Sequence, residues 1–448
     1  MSGGWAVLFA AQPPPARYNT QMPRFRLPAA LSPLRYYNYR LLFSGLLVSI
    51  LGSMMRNAVV LWHVTLLVSE KDRALALGAV GLVRIVPIVI FSLFAGVIAD
   101  RYDRRRILLL VNGVMGLLSI LLAVLTLNGA VNLIIVYAIS AAMSGIGTFD
   151  NPARQSLFPV LLPEKELPRA ISLNMILFQV ASVGGPAIGG LLIARAGVGW
   201  AYAFDAASFV ALFLALLLMR DVPQRPAEQR AQFSLGAVRD GFRFVFGTPL
   251  IRSSMLLDFF ATFFASAMAL LPLYAQDVLK VGADGYGVLS AAPAVGALIA
   301  SVAMVPLIER IEQRGRVLIG AVLIYGLATI AFGVSSWFWL TYLCLAATGA
   351  ADTVSAVLRN VIRQLGTPNE LRGRMTSVNM IFFLGGPQLG ELEAGLVASS
   401  FGPMISVLTG GIGCVIATLW IAATTPDLLN YRRSTASILA TGAAGGQD

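Results

Sequence analysis

Seven ionisable residues interrupt stretches that are otherwise almost wholly apolar: Arg56, Arg84, Asp205, Asp258, Asp352, Glu391 and Glu393. A charge at the centre of a bilayer costs at least about 2.5 to 3.5 kcal/mol, so one that is kept has a partner or faces a water-filled cavity. Burial disfavours the charged form of a carboxylate and a nearby arginine favours it, so a carboxylate whose exposure alternates can load and unload a proton. Asp258, Asp352 and Glu391 are the candidates for that task. Glu393 is set aside, because residues two apart on a helix point about 200° from each other and Glu391 directly follows the flexible stretch Gly386-Pro387 to Gly390. For Arg84 and Arg56 a cavity role competes with pairing to a buried carboxylate. For Asp352 the competing role is an ion pair with Arg359 or Arg363 at the membrane edge, and Asp205 reads as structural. Asn174, Gln179 and Asn379 add neutral hydrogen-bonding groups that either bind cargo or join helices.

Other chemistries find no footing. The lone His63 has no second ligand at metal spacing and reads as an interface residue. Cys344 and Cys414 sit in apolar runs and form no disulfide framework. No phosphate loop of the G-x-x-x-x-G-K-[ST] kind occurs, and no nucleophile stands with a base, so an enzyme is not expected. No metal and no cofactor are expected either.

The elements that must position these groups follow from composition. Of 448 residues 57% are hydrophobic and 12% charged, against about 25% charged in soluble domains. Runs of about 20 apolar residues cross a bilayer, and twelve are present, at 41–65, 75–98, 107–127, 131–149, 170–194, 199–219, 253–275, 285–307, 316–334, 337–357, 375–398 and 403–423. The chain therefore reads as an all-α membrane protein. The net charge of +11 is explained by topology and not by nucleic acid. With the N-terminus inside, the inner segments hold 27 of the 33 Lys and Arg, the outer loops hold Lys71, Arg73, Arg195 and Lys280, and two lie within spans. That bias places both termini in the cytoplasm, and a bacterial inner membrane is the expected location. Trp62, Trp200, Trp337 and Trp339 read as interfacial anchors.

An internal repeat divides the chain. At an offset of 205 residues Arg154 matches Arg359, Pro163 matches Pro368, and Asn174-Met175-Ile176 matches Asn379-Met380-Ile381. At an offset of 206, Gly81 and Pro87 match Gly287 and Pro293, which sets Arg84 against Ser290. The expected organisation is a tail (1–36), a six-helix bundle (37–219), a linker (220–252) with an amphipathic surface helix from Leu235 to Phe246, a second six-helix bundle (253–424) and a tail (425–448). Parallel halves of this kind put a solute path at their interface.

After the second span the chain reads Gly96-Val-Ile-Ala-Asp100-Arg101-Tyr-Asp103-Arg104-Arg105-Arg106. This resembles the loop signature of the major facilitator superfamily. Gly185-Pro186-Ala187-Ile188-Gly189-Gly190 is similar to the core of that superfamily's antiporter motif, with Ser172 and Ala181 in place of its upstream glycines. Asn151-Pro152-Ala153-Arg154-Gln155, Gly349-Ala350-Ala351-Asp352, Arg372-Gly373-Arg374 and Gly386-Pro387-Gln388-Leu389-Gly390-Glu391 resemble the macrolide-efflux and siderophore-exporter branch. The resemblance implies the major facilitator fold. It implies a gating latch of Asp100, Arg101, Arg104 and Asp150, with the aspartate facing the start of the eleventh span near Met375. It implies Gly185, Pro186, Gly189 and Gly190 as a conformational motif, and places Asp258 and Asp352 on spans that line the central path. Ala141 stands where many proton-coupled relatives carry an arginine. The implied function is export of small amphipathic molecules, drug-like or a siderophore, by proton-coupled alternating access. The partners expected are the solute, protons and lipid, with the chain acting as a monomer. An uncoupled facilitator or importer, and a non-transporting sensor or lipid-handling protein, remain as alternatives.

Overall fold

Hydrocarbon offers no water to an unpaired backbone N–H or C=O, and helices satisfy these groups within the segment itself. The computed structural model describes residues 28–222, 235–368 and 371–433, and no strand occurs among them. The first half comprises α1 (Tyr37–Leu67), α2 (Arg73–Arg101), α3 (Arg104–Leu127), α4 (Leu133–Gly147), α5 (Asp150–Leu161), α6 (Leu167–Ala196) and α7 (Val198–Leu217). After α8 (Leu235–Gly247) the second half begins with α9 (Pro249–Phe264). It continues through a 3-10 turn, the single turn α10 (Leu271–Leu273) and a π-helical turn at Tyr274–Val278. It is completed by α11 (Gly282–Leu307), α12 (Arg314–Val334), α13 (Phe338–Leu365), α14 (Arg372–Phe401), α15 (Pro403–Thr424) and the short α16 (Pro426–Leu429).

Eleven of these segments are long and apolar enough to cross a membrane among the described residues. The twelfth is α14, whose 30 residues match its neighbours in length but include Glu391 and Glu393. The expected tails and linker lie partly outside the described residues, at 1–27, 223–234 and 434–448.

Three segments depart from the expected spans. The fourth is two helices: Thr148 and Phe149 donate to Gly145 and Ile146 in tight turns, and Asp150 opens α5 instead of ending a span. The seventh breaks after Phe264. The tenth runs eight residues past its expected end, to Leu365, and carries Arg359 and Arg363 inward with it. The helix α8, expected at the membrane surface, packs one side against the second half. Its Val245 is buried with Ile251, Met255, Met375 and Val378, so it braces the starts of α9 and α14.

Alternating crossings collect Arg104, Arg154, Arg220, Arg314 and Arg372 at one end, the basic face. Arg105 Nε donates to the Leu216 carbonyl at 2.9 Å, and Asn38 Nδ2 donates to that of Arg220 at 2.6 Å, closing the first half there. Within each half the helices pack on one another, and the halves meet where α2 runs along α14 and α6 along α11. Each of these four seam helices carries a proline inside it: Pro87, Pro186, Pro293 and Pro387. A proline there removes a backbone hydrogen bond and bends the helix.

The seam is tightest away from the basic face. A Cβ on Gly190 would lie 2.5 Å from the Ala283 carbonyl oxygen and 2.6 Å from Gly287 Cα. A Cβ on Gly395 would lie 2.7 Å from the Ala74 carbonyl oxygen and 2.5 Å from Gly78 Cα. Small residues let backbones come this close, which is how helices associate in lipid. The two crossings have one pattern, so the spatial counterpart of Gly287 is Gly78 and not Gly81. The sequence match at offset 206 holds at the prolines and gives way to 209 at the crossings. Between crossing and proline α2 therefore has three residues more than α11, and Arg84 lies in that stretch.

Candidate functional site

Among the described residues the ties between the halves sit at the middle of the seam or toward the face opposite the arginines. Arg73 and Asp277 approach to 3.7 Å, Gln276 Nε2 donates to Thr65 Oγ1 at 2.8 Å, and the Tyr286 hydroxyl donates to the Ala58 carbonyl at 2.9 Å. Trp62, expected as an interfacial anchor, is buried with its ring 5.2 Å from that of Tyr286. Trp200, Trp337 and Trp339 are exposed as anchors should be. Nearer the middle, Gln179 Nε2 donates to the Ala294 carbonyl at 2.5 Å. Toward the basic face the same helices present apolar side chains to the surroundings: Met175 is 68% exposed and Val305 76%, with Val89, Phe91 and Phe383 also exposed. Among the described residues the close contacts between the halves therefore lie at the middle of the seam and toward the face opposite the arginines.

Each half encloses charge. In the first, Arg56 Nη1 donates to Asp205 Oδ2 at 2.9 Å, and the Ser119 hydroxyl donates to the same oxygen at 2.5 Å. The guanidinium also lies 5.4 Å from the Phe209 ring centre. The pairing reading of Arg56 and the structural reading of Asp205 describe this geometry. His63, read as an interface residue, is buried with Nδ1 3.1 Å from the Tyr202 hydroxyl. A Met-rich stretch of α1 receives the glycine motif: Gly185 abuts Met54 and Met55, and Gly189 abuts Met55 and Val59.

In the second half Asp258 is 4% exposed and takes Arg359 Nη2 at 2.9 Å and Arg363 Nη1 at 3.6 Å. Arg359 also reaches Asp352 at 3.3 Å and donates to the Ser355 hydroxyl at 2.5 Å. Arg363 donates to Asn379 on α14 and, at 3.1 Å, to Asn360. The pairing of Asp352 foreseen at the membrane edge is thus an internal cage that also takes in Asp258 and Asn379. The signal for it was the spacing of Asp352, Ser355, Arg359 and Arg363, which puts all four on one side of a helix once α13 is long enough.

Arg84 and Glu391 meet across the seam. Glu391 leans on Gly81, one turn from Arg84. No ion pair within 4.0 Å joins them among the described residues, and Glu391 Oε2 is buried without a hydrogen-bond partner. The Gln388 side-chain oxygen beside it is also unpartnered. Arg84 faces a cavity of about 260 Å³ inside the first half, lined also by Arg56, Asn57, Asn112, Asp150 and Arg154.

Of the latch residues, Asp150 pairs with Arg154 at 3.5 Å, and Arg104 opens α3 after the cap provided by Asp103. The side chains of Asp100 and Arg101 lie outside the described residues. Asn174 is half-buried on α6. Its repeat mate Asn379 meets Arg363, but the position matching Arg363 in the first half is Phe158, so the equivalent bond is impossible.

A family model described as transmembrane secretion effector matches residues 28–431. The enterobactin exporter EntS of Escherichia coli strain 536 is 28% identical over 350 residues, which cover 78% of this chain and 82% of that protein. The enterobactin exporter EntS of Shigella boydii serotype 18 is also 28% identical, over 77% of this chain and 82% of its own. Among solved structures, a POT family transporter in complex with 5-aminolevulinic acid superposes with a TM-score of 0.72 at 11% identity, covering 87% of this chain and 96% of that one. A bacterial homologue of the human lysosomal transporter Spinster, in an inward-facing and unoccupied conformation, gives 0.67 at 14% identity over 91% of this chain and 98% of its own.

Proposed function

Because the chain belongs to the transmembrane secretion effector family of major facilitator transporters, we propose that it exports a small amphipathic organic solute by proton-coupled alternating access. It is a multi-pass membrane transporter of small molecules and not an enzyme. A siderophore-like cargo is the reading favoured by the two exporters to which it is similar. The basic face is taken as cytoplasmic, by the bias of arginines toward the inside, and the bacterial inner membrane as its location. On this reading the seam is open to the cytoplasm and sealed by Gly190 with Gly287, Gly78 with Gly395, and the Trp62–Tyr286 contact.

The observation that carries the proposal is this one-sided seam, with an arginine and a carboxylate facing each other at its middle. The halves 37–219 and 253–424 rock about it, their four prolines letting the seam helices bend. Glu391 is the proton carrier: its unpartnered oxygen is sheltered now and is uncovered when α2 and α14 part. One charge crossing 100 mV releases about 2.3 kcal/mol and each tenfold gradient costs about 1.4 kcal/mol, so one proton sustains a gradient of tens-fold. Protons, solute and lipid are its partners, and one chain suffices.

Uptake of an iron-free catecholate siderophore into everted vesicles tests this. Accumulation driven by an acid lumen and abolished by a protonophore is expected, and absence of uptake sinks the proposal. Glu391→Gln is expected to flatten the pH dependence of that uptake; an unchanged profile moves the proton to Asp258 or Asp352. Uptake indifferent to the protonophore would favour the facilitator reading, to which Ala141 on α4 lends support.

The latch is the second element of the proposal. Asp100, Arg101 and Arg104 stand at the cytoplasmic end of α2 and start of α3, and hold that side shut when it closes against the first turn of α14. In Asp100→Asn a fall in flux of severalfold is expected, with insertion into the membrane intact. Normal flux in that variant would remove the latch from the mechanism.

A further inference from the structure

The two halves are repeats of each other, yet their interiors are charged in opposite senses. The cavity of the first half is lined by Arg56, Arg84 and Arg154, by Asn57 and Asn112, and by four serine hydroxyls, against the single carboxylate of Asp150. A cavity of the second half, about 130 Å³, is lined by Asp352 together with Tyr325, Thr329 and Thr348, and by no arginine. In the second half the repeat mate of Arg154 is Arg359, which Asp258 ties down. The position matching Asp258 in the first half is Ser53, so the space that the cage fills on one side is left open on the other.

Two of the three arginines in the first cavity already have carboxylates. Arg56 is held by Asp205 at 2.9 Å and Arg154 by Asp150 at 3.5 Å. Arg84 has none within 4.0 Å among the described residues, and the carboxylate nearest along the seam, Glu391 beside Gly81, belongs to the other half. A guanidinium that lines a donor-rich cavity and lacks a direct partner is a site for an oxyanion, to which it can give two parallel hydrogen bonds. The volume of about 260 Å³ falls just below the roughly 300 to 1,000 Å³ of pockets that enclose a drug-sized molecule. It has room for one end of a larger molecule.

We propose that this cavity binds an oxyanion group of the cargo, a carboxylate or acidic phenolate, and that Arg84 is the residue that contacts it. The inference deepens the transport reading and rests on it for the word cargo, but the site itself is testable by binding alone. The probes are salicylate and its neutral amide, salicylamide, titrated calorimetrically at neutral pH into the full-length protein in detergent. Salicylate is expected to bind at least about tenfold more tightly than salicylamide. Arg84→Gln is expected to weaken salicylate about 10- to 100-fold, the range of a lost hydrogen bond to a charged group, and to leave salicylamide unaltered. Arg84→Lys should recover part of the loss, and Arg252→Gln, at an exposed position outside the cavity, should change nothing. Should Arg84→Gln fail to fold, Ser144→Phe, which fills the cavity from α4, is expected to abolish salicylate binding.

Equal affinity for the two probes, no salicylate binding at millimolar concentration, or equal losses for both in Arg84→Gln would each overturn the site. Charge-selective binding in a protein that moves no solute would instead sink the transport reading and leave the site standing. Acidic-solute flux that is unchanged in Arg84→Gln would do the reverse.

Discussion

Asp258→Ala is expected to destabilise the second half by about 3 to 5 kcal/mol, the cost of removing one partner from a buried ion pair. The carboxylate sits between two arginines that are 3% and 4% exposed, and its loss leaves them unequal. Arg359 keeps Asp352 and Ser355, whereas Arg363 keeps only the amide oxygens of Asn379 and Asn360. The penalty is therefore the cost of a charge in a place built for a charge pair, and it exceeds what the pair itself adds to stability. Thermal unfolding of the purified protein, followed by size-exclusion chromatography, is the measurement, and a clear fall in midpoint is expected. The double variant Asp258→Ala with Arg359→Met should cost less than the two single changes added together, because removing both partners relieves most of the stranded charge. A single variant that unfolds with the parent protein would mean that the cage contributes nothing.

Gly190→Val should abolish transport while leaving the helices in place. The added Cβ would stand 2.5 Å from the Ala283 oxygen and 2.8 Å from the Gly287 nitrogen. Both are backbone atoms and cannot swing aside, so α6 and α11 must separate where they now seal the face opposite the arginines. The change does not touch the polar cavity. It removes one of the two states between which a transporter alternates, and the population moves to the other. A cysteine at Thr65, which is fully buried beside that seal and tied across the seam by Gln276, reports the movement in a background lacking Cys344 and Cys414. Its labelling by a membrane-impermeant maleimide is expected to rise severalfold in Gly190→Val, together with at least a tenfold loss of flux. Because Gly395 meets Gly78 and Ala74 in the same pattern, Gly395→Val should behave alike. Unchanged labelling with normal flux would show that the glycine crossings are not the seal.

Much of this protein was legible before any folding was considered, because the information is local. Whether twenty successive residues dissolve in hydrocarbon depends on those residues alone, and so the apolar runs, their alternation in charge and the repeat of Arg154 as Arg359 could be read along the chain. The families of charged residues inside the spans were equally visible. Their partners were not. Helical periodicity tells which side of its own helix a residue faces. It does not tell which of eleven other helices stands there. Arg56 with Asp205 and Asp258 with Arg359 are pairs across 149 and 101 positions of sequence, and neither member points to the other until the bundle is assembled.

The errors have the same origin. Hydropathy ended the tenth span before Arg359, since a charge counts against a span unless its partner is known. In the fold Asp258 offsets that charge and α13 runs on to Leu365. Trp62 and His63 looked like residues for a membrane surface because they lie near a helix end, but the closed seam and Tyr202 cover them. Gly81 aligned with Gly287 by sequence, while the backbones choose Gly78, because a close crossing is decided by where two helices touch and not by the count of residues from a proline. The succession of apolar runs and the internal repeat determined that this chain is a helical membrane protein in two similar halves. Only tertiary packing decided which charges are neutralised, which face is sealed, and that Arg84 is left facing open space, since each of these depends on atoms that the sequence keeps far apart.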